Sequence, residues 1–406
     1  MSMQIALSGL NAVSDQLGTI SNNIANAGTT GFKSSRTNFG SVYSETQALG
    51  VEVLGKTQSI SQSGSVVATG RTLDLAISGG GFFVTRNEGS GQTSYTRAGI
   101  FNTDTANYIV SANGQRLQGY PANAEGVLQT GSIGDLQLSA ANLPARATDS
   151  LSFQANLDAD AAVVDPAIGF DPAQIDSYTS SYTTKAFDSL GREHAVTQYF
   201  IKTADNSWDV RYFVNGAEAA DARGVLSFDT AGDFIDLQAP AGVTGTTPGV
   251  VSFTPAGANP VNIALDYEGT TQFGSDFVVN KNLSTGYSAG ERTGLAVERD
   301  GRIYATYSNG QRMLQGQLVM ANFVNDQGLA NQSGTQWVET IESGAALLGV
   351  PGVGQNGAIT SGALENSNVD MSEQLVGLME AQRNYQANTK VLSTDKELNQ
   401  VLFNAI

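Results

Sequence analysis

Apolar or small residues fall at Met3, Ala6, Leu10, Val13, Leu17, Ile20, Ile24 and Ala27, in alternating steps of three and four. That alternation is a heptad seam, and it predicts an amphipathic helix over 3–27 with Gly28 as its stop. At about 1.5 Å per residue the helix is roughly 37 Å long. Ordering such a helix costs more backbone entropy than its own stripe returns, so another element must cover it. A matching stripe lies at the other end of the chain, where Met371, Leu375, Leu378, Tyr385 and Leu392 mark one face and Gln382 and Thr389 fill the intervening seam positions. The register then shifts to Val391, Leu398, Val401 and Ala405, which re-phases any supercoil. Asn368 or Asp370 can cap this second helix, with Glu373 three residues after Asp370 as in a capping box.

Between the two helices the period changes from 3.6 to 2. The stretch 29–70 is rich in Ser, Thr, Gly and Gln, and reads as an extended connector with some β pairing and short strands at Val51–Leu54 and Ser65–Val67. From Arg71 strands dominate: Leu73, Leu75 and Ile77 alternate with Asp74 and Ala76, and Asn113-Gly114 marks a hairpin turn. A second hairpin series starts near Gly294, and its Asn309-Gly310-Gln311-Arg312 echoes Asn113-Gly114-Gln115-Arg116. Residues 71–144 and 286–362 therefore read as one β domain made from two segments. The stretch 145–285 reads as an inserted β domain, in which Trp208, Val210 and Tyr212 alternate with Asp209 and Arg211 before an Asn215-Gly216 turn. The expected fold is mainly β with α-helical termini. Its expected nested domains are 1–70 with 363–406, then 71–144 with 286–362, then 145–285.

Composition narrows the function. The 406 residues carry a net charge of −17, with no run of Lys or Arg, which argues against nucleic acid and an anionic membrane surface as partners. There is no Cys and a single His, so disulfides, thiolate metal sites and His-based zinc sites are not expected. No apolar run approaches the ~20 residues that span a membrane, and no signal peptide is visible. That pattern fits a cytoplasmic chain, and equally one exported through a channel without a cleaved signal.

Candidate chemistry is sparse. His194 lies near Asp188 and Glu193 with no local nucleophile signature. Gly352-Val353-Gly354-Gln355-Asn356-Gly357 matches the dinucleotide fingerprint in letters but not in context. Gly79-Gly80-Gly81 lacks the Lys-Ser/Thr of a phosphate loop, and Asp158, Asp160 and Asp165 lack calcium-loop spacing. No catalytic, cofactor-binding or metal-binding residues are expected, and no cofactor. The reading of a different class is a secreted β-rich protein that binds or hydrolyses polysaccharide, which leaves the terminal heptads unexplained.

The two ends together resemble the bacterial flagellar rod and hook protein family. The resemblance rests on Asn22-Asn23-Ile24-Ala25-Asn26 followed by Gly31-Phe32-Lys33. At the other end it rests on Gly362-Ala363-Leu364-Glu365-Asn366-Ser367-Asn368-Val369-Asp370 and on Gln382-Arg383 with Tyr385-Gln386. Gly70–Ile77 with Gly81-Phe82-Phe83 is similar to the family's inner β domain, and the long insertion is similar to hook-type rather than distal-rod-type members. The resemblance implies a non-enzymatic subunit that self-assembles helically into a curved, flexible, torque-transmitting tube around an export channel. It implies a polymerisation seam of Met3, Leu10, Val13, Leu17, Ile20 and Ile24 with Met371, Leu375, Leu378, Tyr385, Leu392, Leu398 and Val401. It also implies neighbours: a distal rod protein, a hook cap protein, a hook–filament junction protein and the flagellar type III export apparatus. The location it implies is the hook of the basal body, outside the cell.

Overall fold

The opening alternation of three and four does form a helix, α1 (Ser2–Ala25), and the second stripe forms α2 (Met371–Asn404). The computed structural model describes residues 2–44, 47–241, 243 and 247–404, so the expected seam residue Ala405 lies outside the described residues. Two compact units result: residues 1–140, 294–306 and 312–406 form the first, and 141–293 with 307–311 form the second.

In the first unit α1 and α2 pack against each other. Val13, Ile20 and Ala381 are buried at the seam, flanked by Leu17, Ile24 and Leu378. Asn23 Nδ2 donates to Gln374 Oε1 at 3.0 Å, Gly377 lies beside Ile20, and Gly9 lies against the Asn388 side chain. Each step down α1 is matched by an equal step up α2, so the pair is antiparallel.

The connector pairs as strands over a longer stretch than expected. β1 (Ser35–Ser44) and β2 (Gln47–Gln58) pair antiparallel from Ser35–Gln58 to Ser44–Gln47, with irregularities at Asn38/Phe39 and Val42/Tyr43. This hairpin covers a second face of α1, where Ala12, Thr19 and Asn23 are buried. The Thr19 and Thr37 hydroxyls hydrogen-bond at 2.9 Å, and the Val51 N–H donates to Ser8 Oγ at 3.2 Å. A polar helix face is thus buried by polar strands, a pattern that hydrophobic periodicity does not report.

The stop at Gly28 is also corrected. α1 ends at Ala25 through short bonds such as Ala27 N–H to the Ile24 carbonyl, and Gly28 is not left-handed. The left-handed glycine is Gly31, at φ 71°.

The β body of the first unit is one large sheet over two apolar cores. One core centres on Phe83, Phe101, Leu117, Leu318 and Met320, and the other on Phe82, Tyr95, Phe323 and Trp337. The two echoing hairpins meet: strand 312–318 pairs antiparallel with strand 116–121, from Gly316–Pro121 to Leu318–Gly119. β3 (Val66–Ala68) pairs with the C-terminal strand Ala363–Glu365, and β4 (Leu75–Ser78) with Ala358–Ser361. Residues 74–77 are all buried, so the Leu73–Ile77 alternation does not sort into two faces.

In the second unit two sheets enclose Phe153, Phe200, Trp208, Tyr212 and Tyr267. Trp208, Val210 and Tyr212 point inward as expected. Asp209 is buried too, because the Arg223 guanidinium pairs with it at 2.6 Å. Asn215 and Gly216 take φ of 50° and 84°, the two left-handed positions of a tight hairpin turn. The chain enters and leaves this unit side by side, through the bridges Leu143–Gly290 and Arg146–Tyr287. Among the described residues no helix is long and apolar enough to cross a membrane.

Candidate assembly site at the terminal segments

The N- and C-terminal signatures converge where the helices leave the β body. Asp370 caps α2: its Oδ1 accepts from Ser372 N–H at 2.8 Å and Glu373 N–H at 3.2 Å. Asn368, the alternative cap, does something else. Its Oδ1 accepts from Ser34 N–H at 2.7 Å, and its Nδ2 donates to the carbonyls of Ser59 at 2.9 Å and Gln62 at 3.1 Å. Asn23 is its counterpart in α1, with Nδ2 donating to the Ser35 carbonyl at 2.8 Å and Oδ1 accepting from Ser35 N–H at 2.9 Å. An amide carries both donor and acceptor, which is what holding an irregular backbone requires.

Beneath these amides lies a buried ionic cluster. Lys33 Nζ donates to Glu365 Oε1 at 2.7 Å and to the Gln62 carbonyl at 2.6 Å. Arg97 donates to Glu365 Oε2 at 3.3 Å, and Gly64 N–H donates to Oε1 at 3.0 Å. The side chains are 1%, 4% and 0% exposed for Lys33, Arg97 and Glu365. Burial pulls the Lys33 ammonium below its ordinary value, and its bond to Glu365 resists that shift. Arg97 is lowered by burial in the same way, with Glu365 opposing, and its guanidinium sits 5.4 Å over the Phe82 ring. Gly31 lets the strands close here, since a Cβ on it would lie 2.5 Å from the Ala98 nitrogen. Lys33 and Gly31 belong to the sequence signature. Glu365 lies in the C-terminal signature, but its pairing with Arg97 has no sequence signal, because 268 residues separate them and no local pattern links them.

The expected seam divides in two. Val13 and Ile20 are buried, and Leu10, Leu17, Ile24, Leu378 and Leu392 are half-buried. Met3, Met371, Leu375 and Tyr385 are more than two-fifths exposed, Leu398 is 62% and Val401 66% exposed. For Leu398 and Val401 the reason is length. Carried to its end, the antiparallel register sets Ser2 opposite residue 395, so the last turns of α2 run on with no part of α1 beside them. Among the signature residues, Asn22, Ala25, Gln382, Arg383 and Gln386 are exposed, while Asn26, Phe32 and Val369 are half-buried.

His194 stands at the start of a strand in the second unit. Its Nε2 lies 3.2 Å from Asp188 Oδ2 and its Nδ1 2.8 Å from Asn215 Nδ2. Burial acts to raise the Asp188 carboxyl, but hydrogen bonds from the Arg192 backbone, His194, the Arg192 side chain and the Leu190 backbone outweigh it and hold it well below the usual carboxylate range.

Comparison with known proteins adds the following. The chain matches the models for the flagella basal body rod protein at residues 3–33 and the flagellar hook protein FlgE/F/G D1 domain at 76–162. It also matches those for the flagellar basal body protein FlaE D2 domain at 156–287 and the flagellar basal body rod FlgEFG protein C-terminal region at 360–405. It is 36% identical over 412 residues to the flagellar hook protein FlgE of Salmonella typhimurium, spanning all of both chains. To that of Escherichia coli K12 it is 35% identical over 414 residues, again spanning all of both. To that of Borreliella burgdorferi it is 31% identical, spanning 99% of this chain and 98% of the relative. In fold it is similar to the crystal structure of Helicobacter pylori flagellar hook protein FlgE2, with a TM-score of 0.54 at 13% identity, covering 74% of this chain and 99% of that one. By identity along its entire length, the chain belongs to the flagellar hook protein family.

Proposed function

We propose that this chain is the structural subunit of a bacterial flagellar hook, and that copies assemble through the terminal helices. The observation that carries the assembly surface is the unequal length of α1 and α2, which leaves Leu398 and Val401 uncovered beyond a seam centred on Val13, Ile20 and Ala381. Large apolar side chains in a row on a helix end favour burial against another chain. For this assembly we adopt the nested scheme of 1–70 with 363–406, 71–144 with 286–362, and 145–285. Partners at the two ends of the polymer would be the distal rod, cap and junction proteins, and delivery would use the flagellar export apparatus without a cleaved signal. Its hook relatives are structural proteins, and we infer that the chain has no catalytic role. Both ring nitrogens of His194 are engaged by Asp188 and Asn215, so the ring has no free nitrogen to act as a base.

The test is electron microscopy of basal bodies from a strain lacking the gene. Rods that end at the cell surface without a curved segment support a hook subunit. Truncated rods move the chain to the rod, and complete motile flagella reject the proposal.

A further inference from the structure

Glu365 serves two cations that come from far apart in the chain. Lys33 belongs to the N-terminal connector and Arg97 to the β body, 332 and 268 residues away from it. All three side chains are nearly fully buried. With the carboxylate absent, docking the connector on the β body would bury two mutually repelling cations together. Lys33 would keep the Gln62 carbonyl, and Arg97 already has one buried nitrogen, Nε, without a partner. Asp326 lies near Arg97, yet it is half-buried and no ion pair joins the two. Burying an uncompensated charge costs far more than a good pair returns, so such an array selects an arrangement more than it stabilises one. The backbone follows the same logic: Gly31 N–H donates to the Glu365 carbonyl at 2.8 Å, and Asn366 N–H to the Ser65 carbonyl at 2.9 Å.

We propose that Glu365 is a latch, such that the connector and the β1–β2 hairpin dock on the β body only when the strand Ala363–Glu365 has brought its carboxylate between Lys33 and Arg97. The helix pair is then held in one orientation only in chains whose C-terminal segment is in place. Within the hook-subunit reading, on which this last consequence rests, incomplete or misfolded chains are kept from entering the polymer.

The test is hydrogen exchange by mass spectrometry on the full-length chain, comparing wild type, Glu365→Gln, and the apolar triple variant K33M/R97M/E365L. The reporters are the bonded amides of Gly31, Ser34, Ser35, Gly64 and Asn366. In Glu365→Gln these should exchange on the order of a hundredfold faster, while strands 82–86 and 116–121 stay protected. The triple variant, with no cations to strand, should regain most of the lost protection. Unchanged exchange in Glu365→Gln would overturn the latch, as would loss spread equally over the β body, or a triple variant as open as Glu365→Gln. Polymerisation of the same samples is scored separately. A wild type that never polymerises rejects the subunit reading while the exchange pattern still decides the latch.

Discussion

At the scale of single residues, small changes of charge or volume meet rigid neighbours. Gly31 combines a left-handed φ of 71° with backbone atoms 2.5–2.8 Å from where a Cβ would sit. Gly31→Ala should therefore lose roughly 2–4 kcal/mol in denaturant unfolding of the first unit, from αL strain plus overpacking. Gly28→Ala is the control, since Gly28 has open space around it and no left-handed backbone; it should change little. Asp188 gives a pH prediction for the second unit. Its folded-state value lies below the unfolded one of about 3.9, so the stability it contributes is present above that value and is lost as pH falls below it. Thermal unfolding of the second unit should weaken steeply from about pH 4 downward, and Asp188→Asn should lower stability at pH 7 while flattening that slope. A slope unchanged by the substitution would assign it to other carboxylates.

At the scale of elements, the proposed assembly gives the two halves of the helix seam different duties, which mutation can separate. Ile20→Asp places a charge in a closed apolar contact and should unseat α1 from α2 within one chain, costing about 3–5 kcal/mol. Leu398→Asp or Val401→Asp changes a side chain that touches no part of α1, so monomer stability should shift by less than about 0.5 kcal/mol while polymerisation is lost. Normal polymerisation of both exposed variants would refute the overhang as an assembly surface. This division also shows what periodicity can and cannot convey. The heptad of α1, the Asp370 cap and the Asn215-Gly216 turn were legible because each is a local pattern with a local cause. The full length of the β1–β2 hairpin was not, since its Ser, Thr and Gly residues pack on the polar Thr19 and Asn23 face of α1. The register shift in α2 was visible, but that α2 outruns α1 was not, because it depends on a pairing no single segment encodes. The pairing of Glu365 stayed hidden for the same reason: its meaning comes from residues 33 and 97.

At the scale of the whole molecule, the two units are connected in a way that makes one removable. Arg146 and Tyr287 exchange backbone hydrogen bonds at 3.0 Å in each direction, and Leu143 and Gly290 do so at 2.9 and 3.0 Å. The strands flanking the insertion therefore already form the neck of a hairpin. Replacing 147–286 with a two-residue Asn-Gly turn closes that neck with little loop entropy. The cores around Phe83 and Phe82 contain no residue from the excised stretch, so the shortened chain should keep the first unit folded. The terminal helices are likewise untouched, so polymerisation should persist. The second unit holds 15 Asp and 4 Glu against 8 Lys and Arg between residues 141 and 293, a net of −11 out of −17 for the chain. Removing most of that charge changes the repulsion between neighbouring copies, and with it the curvature and salt dependence of the tube. Electron microscopy of polymers from the shortened chain at low and high salt reads both effects. Tubes with altered curvature and a weaker salt response are the expected outcome; no tubes at all would mean that the insertion, and not the helix seam alone, is required for assembly.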